Sequence, residues 1–311
     1  MMHFRTFEDL NSAIIKNLYK VPQKIDLIAG VPRSGLLAAN LLALHLQLPL
    51  TDIDGLKNGR ILSAGERLKP LNLPVNKPSN ILVVDDSLHT GKSMMEIRDS
   101  LAGINPDRNI IYAAVFIKPG RENLVDFYFE PCPVPRLFEW NIMNHRYIRT
   151  ACVDIDGVLC LDPTPEENDD GINYLRFLKK AKPYLRSRNK IGTLVTNRLE
   201  KYRDETESWL EKNNIHYGEL VMRNLPDQKA RREANNYGEF KASEFTKRPD
   251  AKLFIESSYH QSKVISRISG RPVYCVDKRE MILPDTLKTK RKKSETFIKR
   301  AFRKVRNQIL F

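Results

Sequence analysis

The sequence predicts an α/β protein with two doubly wound domains, each built on a mainly parallel sheet. Short apolar runs have the length of buried strands and end in polar or acidic residues, as ILVV does at residues 81–84 and ACV does before Asp154. The chain has 311 residues, which is more than one typical domain needs. Because open α/β sheets bind ligands at the carboxyl ends of their strands, we expect a site at the edge of each sheet.

The first apolar run, in IDLIAG, is followed by a tight turn at residues 31–35 and by a helix that begins near Leu36. Arg33, Ser34 and Gly35 place a cation and free amide groups at the N-terminus of this helix, where anions bind. The turn is therefore a candidate site for a pyrophosphate. An ordinary turn with a solvated arginine would have the same pattern.

The most informative segment is ILVVDDSLHTGKS, residues 81–93. Asp85 and Asp86 follow the apolar run, and two carboxylates at a core are costly unless they face hydroxyls, a cation or solvent. The loop that follows offers backbone N–H groups, hydroxyls and an ammonium. A ligand that carries both a diol and a phosphate fits these two parts, so a phosphorylated sugar is the simplest candidate.

This segment resembles the phosphoribosyl pyrophosphate (PRPP) motif of type I phosphoribosyltransferases, in which a strand, an acidic pair and a small-residue loop follow one another. The resemblance implies that the acidic pair holds the ribose hydroxyls, that the loop wraps the 5-phosphate and that the turn at Arg33 binds the pyrophosphate. A strand that ends in a solvated Asp-Asp turn is the alternative. The implied PRPP-binding residues of these segments are Arg33, Ser34, Gly35, Asp85, Asp86, Ser87, His89, Thr90, Gly91, Lys92 and Ser93.

Three further features extend the resemblance. The segment between the two motifs is polar, rich in Gly and Pro and too long for a simple connection. In the family a mobile loop closes over PRPP at this place in the chain. The resemblance therefore implies that Arg60 and Arg67 are candidates to cover the pyrophosphate. Lys118 resembles a basic residue that helps to hold the leaving group. The segment PCPVPRLFEWNIMNH takes the place of the acceptor-binding hood, where Trp140 could stack on an acceptor ring or fill the core.

A second acidic pair, Asp154 and Asp156, follows the apolar run in RTACVDIDG. Alternation along the strand end directs the two carboxylates nearly the same way, which leaves space for a nucleophile, an acid/base and Mg²⁺. The pair resembles the first motif of haloacid dehalogenase-type phosphatases. The resemblance implies that Asp154 attacks phosphorus, that Asp156 protonates the leaving oxygen and activates water, and that Asp154 and the carbonyl of Ile155 bind Mg²⁺.

The remaining motifs of that family follow in order. Thr196 ends the predicted strand in KIGTLVTNR and would hold the transferring phosphoryl group with the amide of Asn197. Lys241 would balance the charge of a phosphoaspartate, with Lys229 and Lys252 as weaker candidates. Glu256 would be a further carboxylate on the metal side, with Asp154 and Asp156, where the family commonly has two acidic residues. The intervals between these motifs leave no room for a full cap domain.

We therefore expect a phosphoribosyltransferase-like domain in residues 1–147, a phosphatase-like domain in residues 148–284 and a basic amphipathic tail in residues 285–311. The formal net charge is +14, of which the tail supplies +8 from ten Lys and Arg and two acidic residues, and this implies anionic ligands or surfaces. Apolar residues of the tail recur at helical spacing, so the tail either lies on an anionic membrane surface or docks on the protein. No base-reading motif indicates nucleic acid.

The rest of the composition predicts a cytoplasmic protein. The four cysteines have neither zinc-site spacing nor the pattern of a disulfide framework. The first residues lack the apolar segment of a secretory signal, and no apolar run is long enough to span a membrane. Peripheral contact of the tail with the inner face of the cytoplasmic membrane and formation of a homo-oligomer are left open.

The whole chain resembles the proteins that build ribofuranose into bacterial surface polysaccharides. The resemblance implies transfer of 5-phosphoribosyl from PRPP to a hydroxyl of a glycan or lipid-linked oligosaccharide, with inversion to the β-anomer, followed by removal of the 5-phosphate, with Mg²⁺ in both domains. Two alternatives remain. One is a nucleobase phosphoribosyltransferase fused to a nucleotidase, which would undo its own product; the other is a PRPP-sensing regulator without catalytic activity.

Overall fold

A computed structural model describes residues 2–62, 78–103 and 108–284. Two compact units divide the chain, one formed by Met2–Trp140 and one that begins at Asn141. Each unit is an α/β structure with a mainly parallel sheet, as the sequence predicts. Arg67 and the tail at 285–311 lie outside the described residues.

The first unit contains a five-stranded parallel sheet with the strand order β3-β2-β4-β5-β6 and a separate parallel pair, β1 with β7. Its elements are β1 (His3–Arg5), α1 (Phe7–Lys16), β2 (Leu27–Gly30), α2 (Gly35–Leu46), β3 (Leu50–Asp52), α3 (Ile53–Lys57), β4 (Asn80–Leu88), α4 (Lys92–Leu101), β5 (Asn109–Ile117), β6 (Phe127–Pro131) and β7 (Arg136–Phe138).

Helices cover both faces of this sheet, which is why its central strands are apolar along their length rather than alternating. Residues 81–84 of β4 are fully buried. One core forms between the sheet and helices α1 and α2, and the other between the sheet and helices α3 and α4. Burial of each of these aliphatic side chains stabilises the folded state by about 1.5–3 kcal/mol. Packing of the two cores therefore fixes the positions of the strands and of the polar residues at their ends.

Strand β4 is longer than the apolar run that predicted it. It includes Asp85 and Asp86 and ends at Leu88, whereas the sequence placed the acidic pair after the strand. The cause is unequal pairing on its two sides: β2 pairs with β4 only as far as Val84, while β5 continues beside β4 to Leu88. At the acidic pair, β4 is therefore paired with β5 on one side only. On its other side, β4 has passed the end of β2.

The second unit contains a six-stranded sheet with the order β10-β9-β8-β11-β12-β13, parallel except for the last pair. Its elements are β8 (Cys152–Val153), α5 (Ile172–Lys180), β9 (Ile191–Leu199), α6 (Arg203–Lys212), β10 (Tyr217–Arg223), α7 (Gln228–Ala234), α8 (Tyr237–Thr246), β11 (Phe254–Glu256), α9 (Tyr259–Ser269), β12 (Val273–Cys275) and β13 (Glu280–Ile282).

Strand β9 also continues beyond the predicted point. Thr196 lies inside β9, which runs to Leu199, and does not end the strand. The neighbouring strand β8 pairs with β9 only as far as Leu194, so Thr196 is beyond the end of that partner. Within the residues that the structure describes, no helix is both long and apolar enough to cross a membrane.

Candidate functional sites

The first candidate site lies where β2 and β4 diverge at the carboxyl edge of the first sheet. The backbone N–H of Val31 donates to the carbonyl of Val84 (3.0 Å), which ties the turn after β2 to the last residue of β4 that pairs with it. The peptide bond between Pro32 and Arg33 is cis. Helix α2 then begins at Gly35. The turn and the acidic pair, which are 52 residues apart at Ser34 and Asp86, are thus brought together.

Asp86 is the most connected residue of this site. Its Oδ1 accepts a hydrogen bond from the hydroxyl of Ser34 (2.6 Å), and its Oδ2 accepts one from the indole N–H of Trp140 (3.0 Å). The side chain is nearly buried, with 4% of its surface exposed. Two neutral donors therefore orient the carboxylate, and each oxygen keeps a further lone pair for a ligand hydroxyl or a cation.

Asp85 has a different environment. Its Oδ1 accepts a hydrogen bond from the backbone N–H of Asp86 (2.8 Å). A Cβ on Gly35 would lie 2.9 Å from this oxygen, so a glycine is needed for the start of α2 to approach so closely. Burial, together with the charge of Asp86, raises the pKa of Asp85 well above its usual value. The pair therefore has a strong tendency to take up a proton or a cation.

The loop after β4 leads into α4 with a backbone suited to an anion. Gly91 has φ +84° and precedes the first helical residue, Lys92. A Cβ at Gly91 would lie 2.3 Å from the Leu124 side chain, so only glycine fits there. The N–H of Lys92 points to the hydroxyl of Thr90 (3.4 Å). His89, Thr90, Lys92 and Ser93 are exposed, and Ser87 is half-buried.

The other predicted PRPP-binding residues take varied positions. Arg60 forms an ion pair with Asp52, with its Nη2 atom 2.9 Å from both carboxylate oxygens, so its guanidinium is held at the end of the adjacent strand β3. Arg33 is exposed in the turn after β2. Lys118 directly follows β5 and is half-buried. Their predicted contacts with PRPP stay predictions.

Trp140 has a role that the sequence did not indicate. Its ring stacks on Phe138, with centroids 4.9 Å apart and planes 21° apart, and the ring of Phe7 lies 5.6 Å away. Aromatic neighbours thus hold the indole while its N–H orients Asp86. In this arrangement Trp140 is a positioning residue for the acidic pair, and its stacking on an acceptor ring stays a prediction.

Replacing Trp140 with Phe should weaken the affinity for Mg²⁺-PRPP by about tenfold, because a hydrogen bond to a charged group contributes about 1.5–3 kcal/mol. The phenyl ring can still stack on Phe138, so the fold should persist. Isothermal titration calorimetry measures the effect. Trp209→Phe is the matched control: this indole donates to the carbonyl of Ala181 (2.9 Å), and its loss should leave PRPP affinity unchanged. Equal losses in both variants would contradict the role of Trp140.

The second candidate site is a buried charge cluster at the edge of the second sheet. The ammonium of Lys241 lies between two carboxylates, 2.7 Å from Oδ2 of Asp154 and 2.6 Å from Oε2 of Glu256. All three side chains are at most 6% exposed. The other oxygen of Glu256 accepts the backbone N–H of Ser258 (3.0 Å). The structure thus brings together three residues that the sequence assigned to one site.

Burial raises the pKa of Asp154 to about 8, and the nearby charges of Glu256 and Asp156 add to the rise, which Lys241 opposes. In the absence of a metal ion, the raised pKa therefore favours the protonated form of the Asp154 carboxyl group near neutral pH. Its Oδ1 makes no hydrogen bond to the residues that the structure describes, so this oxygen remains for a metal ion or for attack on a substrate.

Asp156 is bound by Arg198, a residue that the sequence reasoning missed. The Arg198 Nη2 atom donates to Oδ1 (2.7 Å) and its Nε atom to Oδ2 (3.1 Å), and the arginine side chain is fully buried. Although burial acts to raise it, the charge and hydrogen bonds of Arg198 hold the pKa of Asp156 below its usual value. The carboxylate is therefore ionised and already bound, which disfavours its predicted roles as a metal ligand and as a proton donor.

The backbone carbonyls after β8 also differ from expectation. The carbonyl of Ile155, the predicted metal ligand, accepts three backbone N–H groups of the following turn, which disfavours its predicted role as a metal ligand. The carbonyl of Asp156 instead lies 3.3 Å from the hydroxyl of Ser257, beside Glu256. Gly157 follows with φ +73°, and a Cβ there would lie 2.5 Å from Ser257, which explains the glycine at this turn.

The residues around Thr196 complete this site. Thr196 is fully buried, and its hydroxyl oxygen accepts the backbone N–H of Arg198 (3.3 Å). The Asn197 amide nitrogen donates to Gln261 (3.2 Å), and the Asn197 carbonyl accepts from Arg231 (3.0 Å). Among the described residues, the Asn197 Oδ1 and Arg231 Nε atoms are buried without a hydrogen-bond partner. An acceptor and a donor thus remain beside the predicted phosphoryl site.

The oxygen atoms available at this second site suit a magnesium ion that has few ligands from the protein. When all three carboxylates of Asp154, Asp156 and Glu256 are ionised, they face only two cations, and the excess negative charge favours a bound metal ion. Nowhere in residues 2–62, 78–103 and 108–284 do three or more acidic, His or Cys side chains converge as a metal site. Mg²⁺ commonly keeps waters and binds through one or two carboxylates plus substrate phosphate oxygens. Asp154 and the carbonyl of Asp156 can supply such a site, and Mg²⁺ would add charge neutralisation to it.

Replacing Arg198 with Met should lower the free energy of unfolding of this unit by about 3–5 kcal/mol, because the charge of Asp156 would remain buried without its partner. Urea unfolding measures the loss. Arg203→Met is the control, since Arg203 pairs with two carboxylates at the surface, those of Glu200 and Glu207, and each pair should contribute at most about 1 kcal/mol. Adding Asp156→Asn to Arg198→Met should recover part of the loss. Losses of equal size in the two single variants would contradict the buried pair.

The unfolding free energy of the metal-free protein should carry a pH dependence that Asp154→Asn removes. The folded protein holds the Asp154 proton up to about pH 8, while the unfolded chain loses it near the ordinary value of 3.8. Between these values the folded state binds more protons, so stability falls as pH rises, by at most about 1.4 kcal/mol per pH unit. Urea unfolding from pH 5 to 9 compares the two proteins. Parallel curves would contradict a raised pKa at Asp154.

Comparison with known proteins identifies the first unit. Residues 4–145 match the family described as phosphoribosyl transferase domain, and such domains use PRPP and Mg²⁺. Residues 4–145 thus form a phosphoribosyltransferase domain, which confirms the resemblance at the level of the domain, while the roles of the PRPP-binding residues stay predictions.

Solved structures of similar proteins each cover less than half of the chain. Xanthine-guanine-hypoxanthine phosphoribosyltransferase of Helicobacter pylori is 19% identical over 46% of this chain and 93% of its own, with a TM-score of 0.33. The purine phosphoribosyltransferase of Pyrococcus horikoshii is 22% identical over 45% and 93%, with a TM-score of 0.33. Hypoxanthine-guanine phosphoribosyltransferase of Bacillus anthracis is 14% identical over 41% and 78%, with a TM-score of 0.27. Among curated proteins, none matches the chain.

Proposed function

We propose that this protein, whose residues 4–145 form a phosphoribosyltransferase domain, is a bifunctional enzyme. It transfers 5-phosphoribosyl from PRPP to a hydroxyl of a glycan or lipid-linked oligosaccharide, and its second unit then removes the 5-phosphate. The observation that carries the proposal is the presence in one chain of two sheet-edge carboxylate sites, the Asp85–Asp86 pair and the Asp154–Lys241–Glu256 cluster.

The transfer step follows from the groups of the first site. The bond from ribose C1 to pyrophosphate breaks, and the acceptor oxygen bonds to C1 from the opposite face. The proton of the acceptor hydroxyl passes to the leaving pyrophosphate or to water, and the product is the β-anomer. Asp86, oriented by Ser34 and Trp140, accepts hydrogen bonds from the ribose hydroxyls. The turn at Arg33 and the N-terminus of α4 supply donors for the two phosphate groups. Asp85 and Asp86 would hold the Mg²⁺ that such domains use, which offsets the charge of the leaving pyrophosphate.

The hydrolysis step assigns two residues to separate tasks. Oδ1 of the ionised Asp154 carboxylate bonds to phosphorus as the bond from phosphorus to the sugar oxygen breaks, and the leaving oxygen takes a proton from water. Lys241 neutralises the other oxygen of the same carboxylate. Water then attacks the acyl phosphate and releases phosphate. Because Arg198 keeps Asp156 ionised, Asp156 is better suited to accept the proton of that water than to protonate the leaving oxygen.

The presence of both the transfer and the dephosphorylation step in one chain favours an acceptor other than a nucleobase. A nucleobase product would be a nucleotide, and hydrolysis of its 5-phosphate would undo the synthesis. With a glycan acceptor, dephosphorylation finishes a ribofuranoside. The basic tail, which lies outside the described residues, supports a membrane-bound acceptor at the cytoplasmic face, since each basic residue near an anionic surface contributes about 1 kcal/mol.

The experiment is to incubate the protein with PRPP, Mg²⁺ and one acceptor class at a time, and to measure pyrophosphate release. One panel holds purine and pyrimidine bases, and the other holds oligosaccharides with and without a lipid carrier. We expect release with a saccharide and a product that is heavier by a pentose. Release with bases alone would support the nucleobase alternative, and PRPP binding without release under any acceptor would support the regulator.

A further inference from the structure

Arg136 is a buried cation without a hydrogen-bond acceptor. It lies in β7, only 8% of its surface is exposed, and its Nη1 atom is buried with no hydrogen-bond partner among the described residues. Its guanidinium faces the ring of Phe138 at 5.4 Å. A cation–π contact offsets only part of the loss of hydration, and a buried donor without a partner is costly. Such a group is expected where a ligand completes the site.

The position of Arg136 connects it to the ribose site. Phe138 stacks on Trp140, and the indole of Trp140 holds Asp86. Burial lowers the pKa of Arg136, while the charges of Cys132, Asp86 and Asp85 raise it, so the acidic pair is within electrostatic reach of the guanidinium. Contacts through the rings of Phe138 and Trp140 thus connect Arg136 to Asp86, and among the described residues Arg136 forms no ion pair with either carboxylate of the acidic pair.

We propose that Arg136 binds an oxyanion of the acceptor, so that the acceptor of the transfer carries a carboxylate or phosphate group near its reacting hydroxyl. This inference rests on the proposed transferase function. The two phosphate groups of PRPP already have their own donors in the turn at Arg33 and the loop at 87–93. The guanidinium of Arg136 is therefore available to the acceptor. Its planar fork of N–H donors suits a carboxylate or a phosphate group.

Arg5 provides a matched control in the same aromatic cluster. Its guanidinium faces the ring of Phe116 at 5.5 Å, and Phe116 stacks on Phe138 with centroids 5.8 Å apart. Unlike Arg136, Arg5 donates a hydrogen bond, from Nη1 to the carbonyl of Phe4 (3.1 Å). Arg5→Met therefore removes a cation–π contact like that of Arg136. It does not remove a buried N–H donor that lacks a partner, which Arg136→Met does.

The test uses the fluorescence of Trp140. The chain has two tryptophans, so Trp209→Phe leaves Trp140 as the reporter. The full-length protein is first saturated with ribose 5-phosphate and Mg²⁺ to fill the phosphate loop, and is then titrated with acetate or with inorganic phosphate at constant ionic strength. We expect a saturable change with at least one anion. Arg136→Met should weaken that binding by about tenfold or more, and Arg5→Met should leave it unchanged.

The two anions distinguish the sources of the oxyanion: a response to acetate indicates a carboxylate-bearing acceptor, and a response to phosphate alone indicates a phosphate-bearing one. Arg136→Lys keeps the charge but not the fork, and should bind the anion more weakly than wild type even if the Met variant does not fold. Equal affinity of wild type and Arg136→Lys, equal losses in Arg5→Met and Arg136→Met, or no saturable response to either anion would overturn the proposal. Failure of ribose 5-phosphate to bind would instead count against the transferase function, and the anion titration can then be repeated without it.

Discussion

Replacing Asp85 and Asp86 together by Asn should reduce pyrophosphate release from PRPP by at least about 10³-fold, on the scale of losing oriented electrostatic groups at a reacting centre. Asn keeps the size of each side chain but removes the charge that binds a cation and accepts strong hydrogen bonds. Asp86 also joins Ser34 to Trp140; in the Asn variant the amide oxygen can still accept from Trp140 and the amide nitrogen can donate to the hydroxyl of Ser34, so both contacts can remain without the charge. Pyrophosphate release is measured with PRPP, Mg²⁺ and a productive acceptor.

Hydrolysis of a phosphomonoester by the same double variant is the internal control. The second site has its own strand edge and its own charge cluster, so this activity should match wild type. Because the raised pKa of Asp85 makes the ionised pair unfavourable in the absence of a cation, the variant should fold at least as well as wild type at neutral pH. Loss of both activities in a folded variant would contradict two independent sites.

The sequence predicted the fold at the level of strands and their edges. Runs such as ILVV are apolar because both faces of the sheet are covered, and this pattern depends on local composition alone. What it could not predict is the end of each strand. Asp85 belongs to β4 because β5 continues to pair with it, and Thr196 lies inside β9 for a similar reason. Strand ends depend on the length of the neighbouring strand, which is encoded elsewhere in the chain.

The sites show the same limit. Motif order placed Asp154, Lys241 and Glu256 in one site. The structure brings them together because Asp154 follows β8, Glu256 ends the neighbouring strand β11, and Lys241 of helix α8 reaches both carboxylates. The partners of Asp156 and Asp86 were missed, since each comes from a distant segment: Arg198 is 42 residues from Asp156, and Trp140 is 54 residues from Asp86.

A local signal for Arg198 was present in the sequence. It follows Thr196 by two residues on a strand, and period-two alternation places both on one face, so a cation beside the second acidic pair could have been expected. No comparable signal marked the carbonyls of Ile155 and Asp156. The directions of these carbonyls depend on the turn at Gly157, which has a positive φ. In the sequence, the glycine itself is the only sign of that conformation.

Replacing Asp154 by Asn should abolish phosphatase activity, with a loss of at least about 10⁴-fold, because the attacking carboxylate oxygen is removed and phosphomonoesters hydrolyse extremely slowly without a catalyst. The amide has nearly the same shape, so Lys241 can still donate to its oxygen and keeps Glu256 as a charged partner. The variant also removes the carboxyl group whose pKa burial raises, so it should not be less stable than wild type near pH 8. The transferase site contains none of these residues and should keep its activity.

The mass of the acceptor after reaction tests the two-step account most directly. Wild type and Asp154→Asn are incubated in parallel with PRPP, Mg²⁺ and a productive acceptor, and the products are analysed by mass spectrometry. The account predicts that both proteins release pyrophosphate, that wild type leaves an acceptor heavier by a bare pentose, and that Asp154→Asn leaves one heavier by a phosphorylated pentose. A bare pentose adduct from purified Asp154→Asn, free of contaminating phosphatase, would contradict it.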